Sequence, residues 1–199
     1  MIIAVARDEA FNFTYRENID RLREWGEVVF FSPIHDSALP ACDFLYLPGG
    51  YPEFFLPSLT ENASMRRQIH EYIEQGGRCF AECGGMMYLC TAIIDTDGTR
   101  YPMVDILHQH ATMQGMRLHL GYREWNGFPG HEFHYSHIVE EGDVSPSKTL
   151  PHGIAGQVRN EGRQALSMPH PSLYIYKNLR ASYIHLYWGE KNLFDLWND

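Results

Sequence analysis

Two Gly-Gly turns, each following a short apolar run, constrain this chain more than any other feature. The first is Leu47-Pro48-Gly49-Gly50-Tyr51-Pro52-Glu53, after Asp43-Phe44-Leu45-Tyr46. The second is Ala81-Glu82-Cys83-Gly84-Gly85, between the strand-like Arg78-Cys79-Phe80-Ala81 and the helix-like Met86-Met87-Tyr88-Leu89-Cys90. An apolar run, a sharp turn and a helix, with a nucleophilic side chain at the turn, describe a nucleophile elbow, where glycine relieves backbone crowding. A thiol at a helix N-terminus feels the positive end of the helix dipole, which predicts a lowered Cys83 pKa. If the two strand ends lie side by side in a parallel sheet, the N–H groups of Gly50 and Tyr51 face Cys83 as an oxyanion hole. The competing reading is two unrelated tight turns and a buried structural cysteine.

The spacing of the remaining runs predicts an α/β fold. Ile2 to Ala6 is a continuous apolar run suited to a strand buried on both faces. Tyr15 to Trp25 has helical spacing (Ile19, Leu22, Trp25) and ends at Gly26. Strands follow over Glu27 to Phe31 and Phe44 to Leu47, then a helix over Asn62 to Gln75 and a strand over Arg78 to Ala81. This rhythm predicts a doubly wound sheet with ligands at the carboxyl ends of its strands, where both Gly-Gly turns fall. From Tyr101 to Ser136 the apolar runs are short and broken, which predicts partly antiparallel strands extending the sheet. Gly142 to Gly162 reads as a polar loop or hairpin. Ala181 to Trp188 alternates as one strand, with Tyr183, His185 and Tyr187 on one face, and Lys191 to Trp197 reads as a final short helix.

The 199 residues suit one domain. A net charge of −9 argues against nucleic acid or an anionic membrane as partner, because both select basic patches. No apolar run approaches the roughly 20 residues of a membrane span. Four cysteines without a paired framework suit a reducing cytoplasm. His108-Gln109-His110 and His134-Tyr135-Ser136-His137 have pairwise strand spacing, but no carboxylate or cysteine set completes a metal site, so none is expected.

A thiol nucleophile needs a group that takes its proton and later protonates the leaving amine. Eleven histidines compete for this role. His185 stands out by its place on a β-rich run near the C-terminus, although strand histidines are commonly structural.

Five ordered stretches carry a resemblance that covers essentially the whole chain. They are Gly49-Gly50-Tyr51-Pro52-Glu53, Ala81 to Leu89, Leu120-Gly121-Tyr122, Gly130-His131-Glu132-Phe133-His134-Tyr135-Ser136 and Ser182-Tyr183-Ile184-His185-Leu186. In this order they resemble the class I glutamine amidotransferase domain of cobyrinic acid a,c-diamide synthases. The Gly130 to Ser136 stretch favours the diamide-synthase branch over cobyric acid synthase, while nickel-sirohydrochlorin diamide synthases are similar too. The resemblance implies a flavodoxin-like three-layer α/β/α sandwich with a mostly parallel mixed sheet. It implies that Cys83 attacks the side-chain amide of L-glutamine and that His185 supplies the leaving proton. It further implies that Gly50, Tyr51 or Gly84 donates to the oxyanion. The ammonia would serve ATP-dependent amidation of corrinoid carboxylates in cobalamin synthesis.

Two departures shape the expectation. Many class I amidotransferases place a glutamate two residues after the histidine to orient it, and here that position is Tyr187. Glu82 and Glu132 are the candidate substitutes, and His131 and His134 are candidates to line the substrate side or the ammonia exit. Glu53 is expected to start a helical turn, with contact to the glutamine ammonium as the sharper alternative. Secondly, nothing matches the Gly-x-x-x-x-Gly-Lys-Ser/Thr loop of the N-terminal P-loop domain that binds ATP and Mg2+ in full-length diamide synthases. Residues 1–199 therefore correspond to the glutaminase half, which needs a synthetase partner. The alternatives are a domain that is silent until its partner docks and a stand-alone hydrolase on a similar elbow. Glutaminase assays with and without partner separate the first. Peptide or ester hydrolysis without a response to glutamine identifies the second.

Overall fold

A computed structural model describes residues 1–139, 173–189 and 191–198. The N-terminal half supplies β1 (Ile2–Ala6), α1 (Arg16–Trp25), β2 (Glu27–Phe31), β3 (Phe44–Leu47), α2 (Leu56–Glu61), α3 (Ala63–Glu74), β4 (Arg78–Glu82) and α4 (Gly84–Leu89). Six short strands follow: β5 (Cys90–Ile94), β6 (Arg100–Pro102), β7 (Leu107–Thr112), β8 (His119–Trp125), β9 (Phe128–His134) and β10 (His137–Val139). The C-terminal part adds β11 (Tyr174–Tyr176), β12 (Leu179–Ser182) and β13 (His185–Leu186), then a 3-10 helix over Leu193–Trp197.

The main sheet has the order β11-β12-β4-β3-β1-β2 and is parallel except for β11. Its central strands are apolar on both sides because helices cover both faces. On one face Ala4, Leu45, Leu47, Cys79 and Ala81 pack with Met65, Ile69 and Ile73 of α3 and with α4. On the other, Ile3, Val5, Phe44, Tyr46 and Phe80 pack with Ile19 and Leu22 of α1 and with Leu193 and Leu196. Each fully buried Leu, Ile or Phe contributes roughly 1.5–3 kcal/mol. The result is the α/β/α sandwich expected from the sequence, and Asn62 caps α3 by accepting from Met65 N–H at 3.3 Å.

Two expectations are corrected. The strands of the 101–136 region do not extend the main sheet. They build two smaller sheets, β10-β7-β5-β6 and β13-β9-β8, because the position beside β4 is taken by β12 returning from the far end of the chain. The Ala181 to Trp188 run is not one strand. It leaves the main sheet after Ser182, whose Oγ accepts the Ile184 N–H at 2.8 Å, and re-enters a different sheet as β13. The short helix α2, which has no clear periodicity, was not expected, whereas the final short helix and the helical turn at Glu53 are found as 3-10 helices over Leu193–Trp197 and Pro52–Phe54. The segment Gly142 to Gly162 lies outside the described residues. No helix among the described residues is long and apolar enough to cross a membrane.

Candidate active site

Cys83 occupies the turn between β4 and α4 with φ +45° and ψ −107°, a conformation that L-residues rarely adopt and that costs on the order of 1–3 kcal/mol. Two neighbours hold it there. Its N–H donates to Ser182 C=O at 2.7 Å, continuing the β4–β12 ladder. The start of α4 presses onto the end of β3, so that a Cβ on Gly85 would stand 2.1 Å from Leu47 O. The thiol is 4% exposed and points towards Phe133 C=O at 3.9 Å.

The first Gly-Gly turn meets the second directly. A Cβ on Gly84 would stand 2.8 Å from Pro52 Cδ and 3.1 Å from Gly50 N. Among the described residues the Gly50 N–H has no partner, whereas the Tyr51 N–H donates to Ala10 C=O at 2.9 Å. Tyr51 is thus corrected as an oxyanion donor, because its N–H is already committed to a loop that sequence spacing does not bring near. Gly50 and Tyr51 still line the cleft that holds Cys83, together with Phe13, His131, Phe133 and His185. An adjoining part of it is lined by Glu53, Met87, His134, Tyr135 and Ser136.

His185 reaches this cleft from β13 and is 4% exposed. Packing holds its ring. Phe13 meets it edge-on at 4.5 Å between centroids, and His131 stacks on it at 5.0 Å. The backbone of Gly49 lies so close that a Cβ there would stand 2.1 Å from Cε1 and 2.7 Å from Nδ1. Among the described residues Nδ1 has no hydrogen-bond partner. Neither candidate glutamate bonds the ring, which corrects both as direct orienting groups. Glu82 accepts from Tyr46 OH at 2.6 Å and from Leu186 N–H at 2.8 Å, and Glu132 pairs with Arg123 at 2.7 Å. Tyr187 instead packs edge-on against Tyr15, whose hydroxyl is 2.7 Å from His131 Nδ1. His134 donates its Nδ1 proton to Ser136 C=O at 2.9 Å and stacks between His119 and Tyr183.

The electrostatics also correct an expectation. Burial pushes the Cys83 thiol well above its ordinary value, reinforced by the Glu53, Glu82 and Glu132 carboxylates, while the Gly84 N–H pulls the other way. Desolvation outweighs the dipole of a six-residue helix. Burial likewise pushes His185 down to about 3, aided by His131 and His134, and pushes His134 down to about 4. Thiol and imidazole are therefore both neutral at pH 7.

The lowered imidazoles have a stability consequence. Between pH 6.5 and their folded pKa values the unfolded chain binds more protons than the folded one. The stability present above pH 6.5 is lost as pH falls, by about 1.4 kcal/mol per pH unit for each imidazole. Glu82, raised by burial to about 8, acts oppositely between pH 8 and 4.5, so the loss steepens below pH 4.5. Urea titrations at pH 6.5, 5.5 and 4.5 are expected to show this fall. In His185→Asn the slope is expected to lose one proton's contribution; an unchanged slope contradicts the buried neutral imidazole.

Phe13 and Asn18 lie outside the sequence motifs, and Phe133 lies inside one without an assigned role. Asn18 Nδ2 donates to Leu186 C=O at 2.7 Å, and its Oδ1 accepts from Trp188 N–H at 3.0 Å. Its one available signal was a polar residue on the apolar stripe of α1, beside Ile19 and Leu22.

The fold is that of a glutamine amidotransferase. A crystal structure of a glutamine amidotransferase aligns with TM-score 0.55 and 16% identity over 92% of this chain and 89% of that one. PurLQS from Thermotoga maritima aligns with TM-score 0.56 and 13% identity over 92% and 86%. Sequence narrows the class: residues 2–193 match the CobB/CobQ-like glutamine amidotransferase domain, and the chain belongs to that family. It is 41% identical to the cobyrinate a,c-diamide synthase of Synechococcus sp. over 95% of this chain and 42% of the relative. It is 40% identical to the hydrogenobyrinate a,c-diamide synthase of Pseudomonas aeruginosa over 93% and 41%. The chain thus spans about two fifths of the length of these relatives.

Proposed function

We propose that this chain hydrolyses L-glutamine at Cys83 and supplies ammonia to an ATP-dependent synthetase that amidates corrinoid carboxylates. The observation that carries this reading is the convergence of Cys83, His185 and Gly50, from three separate parts of the chain, on one cleft. His185 takes the thiol proton as Sγ attacks the amide carbon; burial weakens it as a base at rest, which fits a pair activated when its surroundings change on docking. The attack forms a C–S bond and moves the carbonyl electron pair onto oxygen. The N–H groups of Gly50 and Gly84 are the donors for that oxyanion. The tetrahedral intermediate expels ammonia with the proton held by His185, leaving a thioester that water hydrolyses to glutamate. Glu53, whose carboxyl is raised by burial and lines the cleft, suits the substrate ammonium, since a cation would restore its charge.

The synthetase, with its ATP and Mg2+, is assigned to the part of the relatives beyond this match, and corrinoid recognition to that partner. The names of the relatives support the choice of corrinoid. The free thiols of Cys42, Cys79, Cys83 and Cys90 support a reducing, cytoplasmic setting. A specific observation favours a second, compatible reading. The low exposure and raised pKa of Cys83 suit a glutaminase that is quiet until its partner docks.

A diazoketone analogue of glutamine is expected to leave one adduct, located on Cys83 by peptide mass spectrometry. Glutamate release is expected to rise when the synthetase portion of a diamide-synthase relative is added. No adduct, and no glutamate with or without that partner, would refute the proposal.

A further inference from the structure

The thiol follows a strand of one sheet and the imidazole opens a strand of another, so the main-sheet ladder fixes Cys83 against Ser182 but does not reach His185. Cys83 follows β4 of the main sheet, and His185 opens β13 of the three-stranded sheet. β13 is two residues long and, among the described residues, pairs with Gly130 and His131 of β9. The backbone ties Cys83 to Ser182, but the chain leaves the main sheet there, and beyond that point a side chain adds a second tie to the His185 segment. Glu82, 2% exposed, immediately precedes Cys83, and its Oε1 accepts the N–H of Leu186, the residue immediately after His185, at 2.8 Å. Its other oxygen is held by Tyr46 OH at 2.6 Å, and the Leu186 carbonyl is gripped from the far side by Asn18 at 2.7 Å.

Resting on the proposed glutaminase chemistry, we infer that Glu82 is a positioning residue whose carboxyl, tied to the Leu186 peptide, holds the His185 imidazole against the Cys83 thiol. It acts through the backbone beside the ring, in place of the ring-bonded glutamate whose position Tyr187 occupies. Burying this group is costly, as its pKa of about 8 reflects. An apolar side chain would avoid that cost but would leave the Leu186 N–H buried and unpaired.

The role depends on an acceptor oxygen that reaches Leu186, not on a carboxyl as such. Glu82→Gln keeps an oxygen for Leu186 N–H and is expected to stay within about 3-fold of the parent. Glu82→Leu removes the acceptor, and Glu82→Asp keeps the carboxyl but falls short of Leu186; both are expected to lose about 100-fold in kcat with KM for glutamine little changed. The decisive readout is Cys83 carbamidomethylation by iodoacetamide at pH 7, which needs no glutamine turnover and so stands even where glutaminase activity is absent. Each loss-of-acceptor variant is expected to react more slowly than the parent. The same substitution in a His185→Asn background is expected to cost nothing further, because the residue acts through that imidazole. Should Glu82→Leu fail to fold by circular dichroism, Glu82→Asp carries the same comparison. Parent-like reaction rates in the acceptor-deficient variants, a Glu82→Gln loss equal to theirs, or additive losses in the His185→Asn background would each overturn the inference.

Discussion

Cys83→Ala is expected to abolish glutamine hydrolysis, with a fall of about 10⁴-fold or more, because among the described residues no other group lining the cleft supplies a thiol. The same position is expected to invert an ordinary stability ranking. Alanine inside regular structure is normally more stable than glycine by about 0.5–1 kcal/mol. At φ +45° and ψ −107°, however, alanine keeps the steric strain of the elbow and glycine releases it. Cys83→Gly should therefore be about 1 kcal/mol more stable than Cys83→Ala, a difference of roughly 2–4 °C in Tm for a chain of this size. Both should be inactive. A calorimetric comparison in which the alanine variant melts higher would show that the turn stores no strain. Residual activity in either variant would move the nucleophile elsewhere.

Gly49→Ala is expected to lower kcat about 100-fold while the chain still folds. The added Cβ would stand 2.1 Å from Cε1 and 2.7 Å from Nδ1 of His185, far inside van der Waals contact. The ring has little room to retreat, since Phe13 and His131 bracket it and Gly130 lies against its own backbone, where a Cβ would meet His185 O at 2.5 Å. The β1–β3–β4 framework is untouched, so the displacement falls on the imidazole, and a misplacement of about 1 Å costs about 100-fold. Steady-state kinetics with circular dichroism tests this. A folded Gly49→Ala protein with kcat within about 3-fold of the parent would mean that the imidazole is not held by this glycine.

Much of the frame was legible because its signals are local. Apolar runs gave β2 and β3 their observed ends, helical spacing placed α1 and α3, and both Gly-Gly turns fall at strand ends. The two candidate reacting groups were named from motif context, and the structure places both on one cleft. The less legible parts depend on partners distant in sequence. Tyr51 N–H is used by Ala10, 41 positions upstream. Glu82 meets Leu186 across 104 positions and therefore bonds a backbone instead of a ring. The direction of the Cys83 pKa was misread for the same reason: the helix end is visible locally, whereas burial is created by β9 and the first Gly-Gly turn closing over the thiol.

Residue order alone thus determined a parallel α/β frame and a cysteine at a glycine-rich strand end, since periodicity and steric permissiveness act over a few neighbours. Tertiary packing alone decided where the second half of the site lies. The C-terminal run breaks at Ser182 to serve two sheets, and its second piece brings the His185 imidazole against the Gly49 backbone and onto the cleft that Cys83 lines. Such placement comes from long-range contacts and desolvation, which no local pattern encodes.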